Sequence, residues 1–449
     1  MPKTTVKYPE GHVLLRNLSR NYPMIDRGEG LYLFDLEGRR YIDASGGALV
    51  NSLGHGQKAL AAKIAEQMGR VGYVNGTHFS SGVMEQFAEK LSAFLPTGVD
   101  RIALLGSGSE AIEAAVKFVR QLWVERGEPA RDRFIARSPG YHGNTLFALS
   151  ASARPHYKKF FGPLLNDVAM VPAPDRYRYP GPGAYDTHGA DYYVGLLEAK
   201  INELGPANVA GFLIEPVSGS SLGGNTPPPG YLKKIEELCH KHGVLIVADE
   251  VLCGTGRTGP FLAGDFDAFK PDLVVLGKGI NGGLCPMSVL AVKQEHVDEI
   301  KRASGGFMHA QTYLQSPVLA ATGLAILDHI VENDLIANSK KVGEDFHKLL
   351  GQHILPLEQV GCVSGRGLLA GVDFVADKVS KKAFARSERF IERFIDHAFF
   401  KHGLVLWPNT GHAGQGDGDL IMMGPPLNST KQDVAEIVQT LRVALLDFK

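Results

Sequence analysis

The sequence predicts an α/β protein with a large, mostly parallel sheet flanked by helices and a smaller α+β domain drawn from both chain ends. Three observations predict it. Between about residues 101 and 290, short apolar runs alternate with amphipathic stretches, the pattern of a parallel sheet covered on both faces. The two ends of the chain instead mix short strands and helices. The 449 residues, 44% hydrophobic and 21% charged, suffice for at least two cores. The expected division is 1–60 and 331–449 for the small domain and 61–330 for the large one.

The elements follow in order. Glu37-Gly38 sits between two alternating runs, 31–36 and 39–43, and reads as a hairpin turn. Helical spacing follows over 58–68. Strands are expected at 101–105, 133–136, 167–171, 209–215, 244–249 and 273–276. Helices are expected at 110–126, 190–204 and 231–242. Pro/Gly-rich loops fall at 181–186 and 226–230. Helices over 317–333 and 334–350 come next, then strands within 362–374 and a helix over 387–402. Short strands at 404–407 and 420–423 and a helix over 431–446 complete the chain.

Bulk composition excludes several functions. With 47 basic and 48 acidic residues, the net charge of −1 gives no electrostatic case for nucleic acid or an anionic membrane. Cys239, Cys253, Cys285 and Cys362 form no CxxC pair and no zinc pattern, so no metal is expected and a reduced, cytoplasmic protein is the simplest reading. The first 11 residues lack a signal-type apolar core, and no stretch has the length of a membrane span.

The chemistry starts at Lys278. The apolar run Leu273-Val274-Val275-Leu276 delivers it among glycines, Gly277 and Gly279. Burial disfavours an ammonium, and a neutral amine condenses with an aldehyde. The plainer alternative is a strand-capping lysine that reaches water. Gly106-Ser107-Gly108-Ser109 marks a strand end turning into a helix, where free amides bind phosphate. An ordinary N-cap at Ser109 or a dinucleotide loop are the alternatives. A second apolar strand places Asp249 at its carboxyl end, where ligands of α/β folds bind. There it would hold a cation such as a pyridinium nitrogen, or simply cap the strand. Tyr141 could stack on a flat ring or pack as a turn residue, with His142 beside it. Thr312, before the 317–333 helix, offers a hydroxyl and an amide.

Together these segments resemble the class III pyridoxal-phosphate aminotransferases of fold type I. The resemblance runs in order along the chain: 43–55, Gly108-Ser109-Glu110-Ala111, Tyr141-His142-Gly143, Glu215-Pro216-Val217, Asp249-Glu250-Val251, Gly254-x-Gly256-Arg257-Thr258-Gly259, Gly277-Lys278-Gly279, Thr312-Tyr313 and Pro425-Pro426-Leu427. It implies a seven-stranded type of sheet and pyridoxal 5'-phosphate as cofactor. Lys278 would form the internal aldimine and carry the proton. Asp249 would pair with the pyridine nitrogen, Tyr141 and Val251 would cover the two ring faces, and Gly108 and Ser109 would hold the phosphate. Thr312 would reach the phosphate of a neighbouring subunit, which makes the active unit a homodimer and leaves a tetramer open. The activity implied is ping-pong transamination between a small-molecule amine donor and a 2-oxo acid acceptor. An aminomutase or lyase on the same fold is the alternative, and a non-catalytic scaffold is disfavoured by the intact Lys278, Asp249 and Thr312 set.

The chain also departs from the family pattern. Where members acting on ω-amino acids and glutamate often read Glu-Pro-x-Gln-Gly-Glu, this chain ends in Ser220. The stretch before Pro425-Pro426 holds no arginine, Leu252 replaces a common glutamine, and Ser364 replaces a common arginine. These changes favour an ω-transaminase acting on a primary amine or ω-amino acid with pyruvate. Leu49, Tyr73, Ser220, Trp407 and Met423 are expected as pocket walls, and Arg154 as an alternative carboxylate anchor. The glycine-rich loop 409–419 is expected over the entrance.

Overall fold

Apolar runs that are buried on both sides form the centre of a seven-stranded sheet. The computed structural model describes residues 3–414 and 416–448, which excludes Gln415 of the glycine-rich loop. The strands are β1 (Val99–Leu105), β2 (Arg133–Ser138), β3 (Ala169–Pro172), β4 (Val209–Ile214), β5 (Leu245–Asp249), β6 (Leu273–Leu276) and β7 (Ser288–Lys293), in the spatial order β1-β7-β6-β5-β4-β2-β3. Pairings among β3, β2, β4, β5 and β6 are parallel. β7 runs antiparallel to both β6 and β1. Every residue of β4, β5 and β6 is buried.

Alternation along each strand divides the core into faces. Leu213 and Val247 pack with helix α1 (Gly108–Glu125). Their neighbours Phe212, Ile214, Ile246 and Ala248 pack on the other side with α2 (Tyr185–Leu204) and α3 (Tyr231–His242). A strand residue points opposite to its neighbours, so one continuous apolar run serves both layers.

At the chain ends, Leu31 and Ile42 share one apolar cluster with Phe346, Phe374, Phe394 and Leu441. Two four-stranded sheets contribute. One joins Ile25–Glu29, Tyr32–Asp35 and Arg40–Asp43 to Leu404–Val405. The expected hairpin is there, with Gly38 at φ 81°, a backbone setting that favours glycine. The other is antiparallel and joins Val360–Arg366, Leu369–Phe374, Asp419–Met423 and Trp407–Thr410.

Several elements differ from expectation, among them the strand Ile25–Glu29 and the helices Leu146–Ala151 and Gln294–Ala303, which were not anticipated. β7 was not anticipated, because only a short 3-10 turn, Lys278–Asn281, separates it from β6 and the α/β alternation lapses there. The helix Gly82–Ser92, capped by Ser81, was likewise not anticipated. The single strand expected at 404–407 divides at buried Leu406, with Leu404–Val405 joining the N-terminal sheet and Trp407–Thr410 the antiparallel one. Pro408 lies on an edge strand, where its missing N–H removes no ladder bond from a second neighbour. Among the described residues, no helix is long and apolar enough to cross a membrane.

Candidate active site

The carboxyl ends of β1, β2, β4, β5 and β6 lead to Gly106, Tyr141, Glu215, Asp249 and Lys278 in turn, so segments remote in sequence meet along one sheet edge. A cavity of about 480 Å³ opens there. Its walls include Gly108, Ser109, Tyr141, His142, Asp249 and Lys278.

Lys278 follows β6 after Gly277 and adopts φ 46°, unusual for a residue with a side chain. Burial pushes its amine down to about 8; Asp249 and Glu215 oppose the shift, and the Arg154 charge adds to it. Asp249 is buried, at 5% exposure. Its Oδ2 accepts from His142 Nδ1 at 2.7 Å and its Oδ1 from the Val251 amide at 3.1 Å. The His142 amide in turn donates to Ser152 Oγ at 2.8 Å, which fixes the loop that carries the ring. Asp249 is thereby oriented from both oxygens.

The turn from β1 into α1 is shaped by close backbone approach. Ser107, not Ser109, is the N-cap of α1, its Oγ accepting from the Glu110 amide at 3.3 Å. Gly108 and Ser109 therefore occupy the first turn, where amides have no acceptor within the helix. A Cβ on Gly108 would lie 3.0 Å from Val251 Cγ1, and one on Gly277 equally close. Val251 is held between these two glycines, beside Lys278. Gly143 has φ 138°, and a Cβ there would meet Ser109 Oγ at 2.4 Å. The Asn144 amide donates to Ser109 Oγ at 3.0 Å and the Asn144 side chain to the Tyr141 hydroxyl at 3.0 Å. The Tyr141 amide donates to Glu215 Oε1 at 3.1 Å.

These residues fit pyridoxal phosphate. A lysine with a depressed pKa suits the aldehyde, an oriented buried carboxylate suits a protonated ring nitrogen, and first-turn amides suit the phosphate.

The expected pocket walls divide. Ser220 lines the cavity. Arg154 is buried behind it, donating from Nη2 to Ser220 Oγ at 2.7 Å and from Nε to Ser221 Oγ at 3.3 Å. Leu49 and Trp407 pack into an apolar cluster with Leu420 and Met422. Met423 belongs to the cluster of the chain ends. None of the three lines the cavity; Leu49 and Met423 are enclosed by apolar neighbours, and Trp407 is half-buried against the first cluster. Tyr73 is 51% exposed, edge-on to Tyr313, and Thr312 is also exposed; both stand outside the cavity of the single chain. Of the loop 409–419, Asn409 donates to the Ser221 carbonyl and His412 Nε2 lies 2.8 Å from Asp373 Oδ2, so parts of it are anchored and buried. Sequence reasoning missed Val50, Leu284, Cys285 and Met287, which also line the cavity. Their only signal was nearness to Leu49 or to Lys278.

Residues 16–445 match the family model for aminotransferase class-III. The chain belongs to the class III aminotransferases. The uncharacterized aminotransferase YodT of Bacillus subtilis is 34% identical, over 95% of this chain and 96% of its own length. A putrescine–pyruvate aminotransferase of Pseudomonas aeruginosa is 28% identical, over 94% and 90%. The ω-transaminase of Pseudomonas jessenii, solved in complex with PMP, superposes with TM-score 0.88 at 31% identity, covering 95% of this chain and 92% of that one. The fold is therefore that of the fold type I transaminases, and the protein is an aminotransferase. Class III aminotransferases depend on pyridoxal phosphate.

Proposed function

We propose that the chain transfers an amino group from a primary amine or ω-amino acid to pyruvate or another 2-oxo acid, in ping-pong fashion, with pyridoxal phosphate held at Lys278. The observation that carries this reading is the convergence of a depressed Lys278 amine and the oriented Asp249 carboxylate on one cavity. The P. aeruginosa relative, named for putrescine and pyruvate, supports the choice of donor and acceptor class. The absence of an arginine in 420–424 supports a donor other than glutamate.

In this proposal the cofactor, when bound, supplies an aldehyde to take up the amine and an electron-withdrawing ring. The remaining steps belong to the chain. Lys278 Nζ would take the proton from the amino-bearing carbon and deliver it to the carbon that had been the cofactor's aldehyde. Asp249, fixed by His142 and the Val251 amide, keeps a proton on the ring nitrogen by charge. Tyr141 and Val251, both on the cavity wall, would hold the ring. The Gly108 and Ser109 amides, in the first turn of α1, would hold the phosphate. Thr312, exposed on each chain, completes the phosphate site of a partner in a homodimer.

The test is spectroscopic. Purified protein loaded with pyridoxal phosphate should lose its visible absorption on adding β-alanine or a simple primary amine and regain it with pyruvate. Bleaching by glutamate alone would overturn the donor class. A lyase would release its leaving group with no need of a 2-oxo acid. Full activity in a monomer on gel filtration would refute the shared role of Thr312.

A further inference from the structure

We propose that Arg154 is the anchor for the carboxylate of the acid co-substrate, an inference that rests on the transaminase reading above. Arg154 is 5% exposed, and among the described residues no carboxylate lies within ion-pair distance, 4.0 Å, of its guanidinium. Its side-chain acceptors are neutral hydroxyls, those of Ser220 and Ser221, with that of Tyr157 beside them. Buried charges are ordinarily paired, because solvent no longer compensates them. Glu215, the acidic group in its vicinity, is committed elsewhere: Oε1 takes the Tyr141 amide at 3.1 Å and Oε2 the Gly219 amide at 2.6 Å. The guanidinium is held in place by aromatic rings, 5.1 Å from the Tyr141 centroid and 5.5 Å from that of Tyr157.

Position gives this unpaired cation its use. Ser220 lines the cavity, and Tyr141 does too, so the guanidinium stands one hydroxyl behind the wall that faces Lys278. A guanidinium offers five N–H donors, of which the two serines engage two, so donors remain for a carboxylate that arrives through the cavity. The ligand class follows: 2-oxo acids as acceptors, and amino acids bearing a carboxylate in preference to amines of similar length. Because the two substrates occupy the cavity in turn, one anchor serves both. Ser220 decides whether the anchor is available. An acidic side chain at 220 would stand where Ser220 Oγ now meets Nη2 and would neutralise Arg154 from within.

The experiment uses the protein loaded with pyridoxal phosphate. Propionate, which has neither an amino nor a keto group, is titrated calorimetrically into wild type, Arg154→Met and Ser220→Asp. The kcat/KM ratio of β-alanine to propylamine, with pyruvate as acceptor, is measured alongside. Propionate should bind wild type and weaken by about ten- to hundredfold in both variants, the loss of charge-assisted hydrogen bonds. The β-alanine to propylamine ratio should fall by a similar factor, with Arg154→Lys in between. Should Arg154→Met not fold, Ser220→Asp carries the same test. Equal propionate affinity in wild type and variants, no propionate binding to wild type, or an unchanged substrate ratio would overturn the proposal. A wild type that moves no amino group would instead overturn the transaminase reading, with the propionate titration still reporting on Arg154.

Discussion

The depressed Lys278 amine can be tested without turnover. Lowering its pKa from 10.5 to about 8 multiplies the neutral fraction at pH 7 by roughly 300, since each pH unit is tenfold. Apo-protein should therefore capture a small aldehyde, followed by borohydride trapping and mass spectrometry at Lys278, at a rate that rises about tenfold per pH unit and levels near pH 8. Linkage gives a second reading. The native state holds fewer protons at this group than the unfolded chain does between pH 8 and 10.5, so the burden on folding is fully present below pH 8 and is lost as pH rises through 10.5. At neutral pH it amounts to at most about 3 kcal/mol. Lys278→Met apo-protein should be more stable than wild type by a part of that in urea at pH 7, and the advantage should shrink by pH 10. A capture rate that keeps climbing to pH 10, or a stability difference independent of pH, would refute the reasoning.

Asp249→Asn removes the leading attraction on the Lys278 ammonium, so the capture profile should level at a lower pH while turnover falls by about a hundredfold or more. Gly143→Ala should loosen cofactor retention on a desalting column, because a Cβ there meets Ser109 Oγ at 2.4 Å on a backbone with φ 138°. Gly343→Ala tests packing far from the site. Its Cβ would lie 2.4 Å from the Gly367 carbonyl carbon, and the clash should outweigh the gain in helix propensity and lower stability by about 1–3 kcal/mol in denaturant melts. Wild-type stability or better in that variant would show that the Leu335–His353 helix can shift away from Gly367.

What the sequence displayed and what it hid divide along a physical line. Lys278 and Asp249 were legible because a buried parallel strand is a continuous apolar run, and the residue at its carboxyl end is fixed by the chain itself. Gly108 and Ser109 were legible in part, as a turn into a helix, although the alternative N-cap at Ser109 lies two residues past the observed one at Ser107 and nothing hinted that Val251 crowds a side chain at Gly108. Apolar residues at loops carry no such instruction. Leu49 was expected to face the cavity, yet its neighbour Val50 does so. With φ at 62°, Leu49 turns instead onto Gly424, where a single Cβ would come within 2.9 Å of it. A left-handed setting at a leucine is costly and is chosen only when packing on both sides imposes it, so no local pattern could announce it. Arg154 is the converse case. Its residue type was visible, but its burial and its want of a charged partner arise from two segments remote in sequence, 141–157 and 215–221. A charge whose partner is missing can be recognised only after every candidate partner has been placed, and here that placement leaves Glu215 occupied and Ser220 neutral.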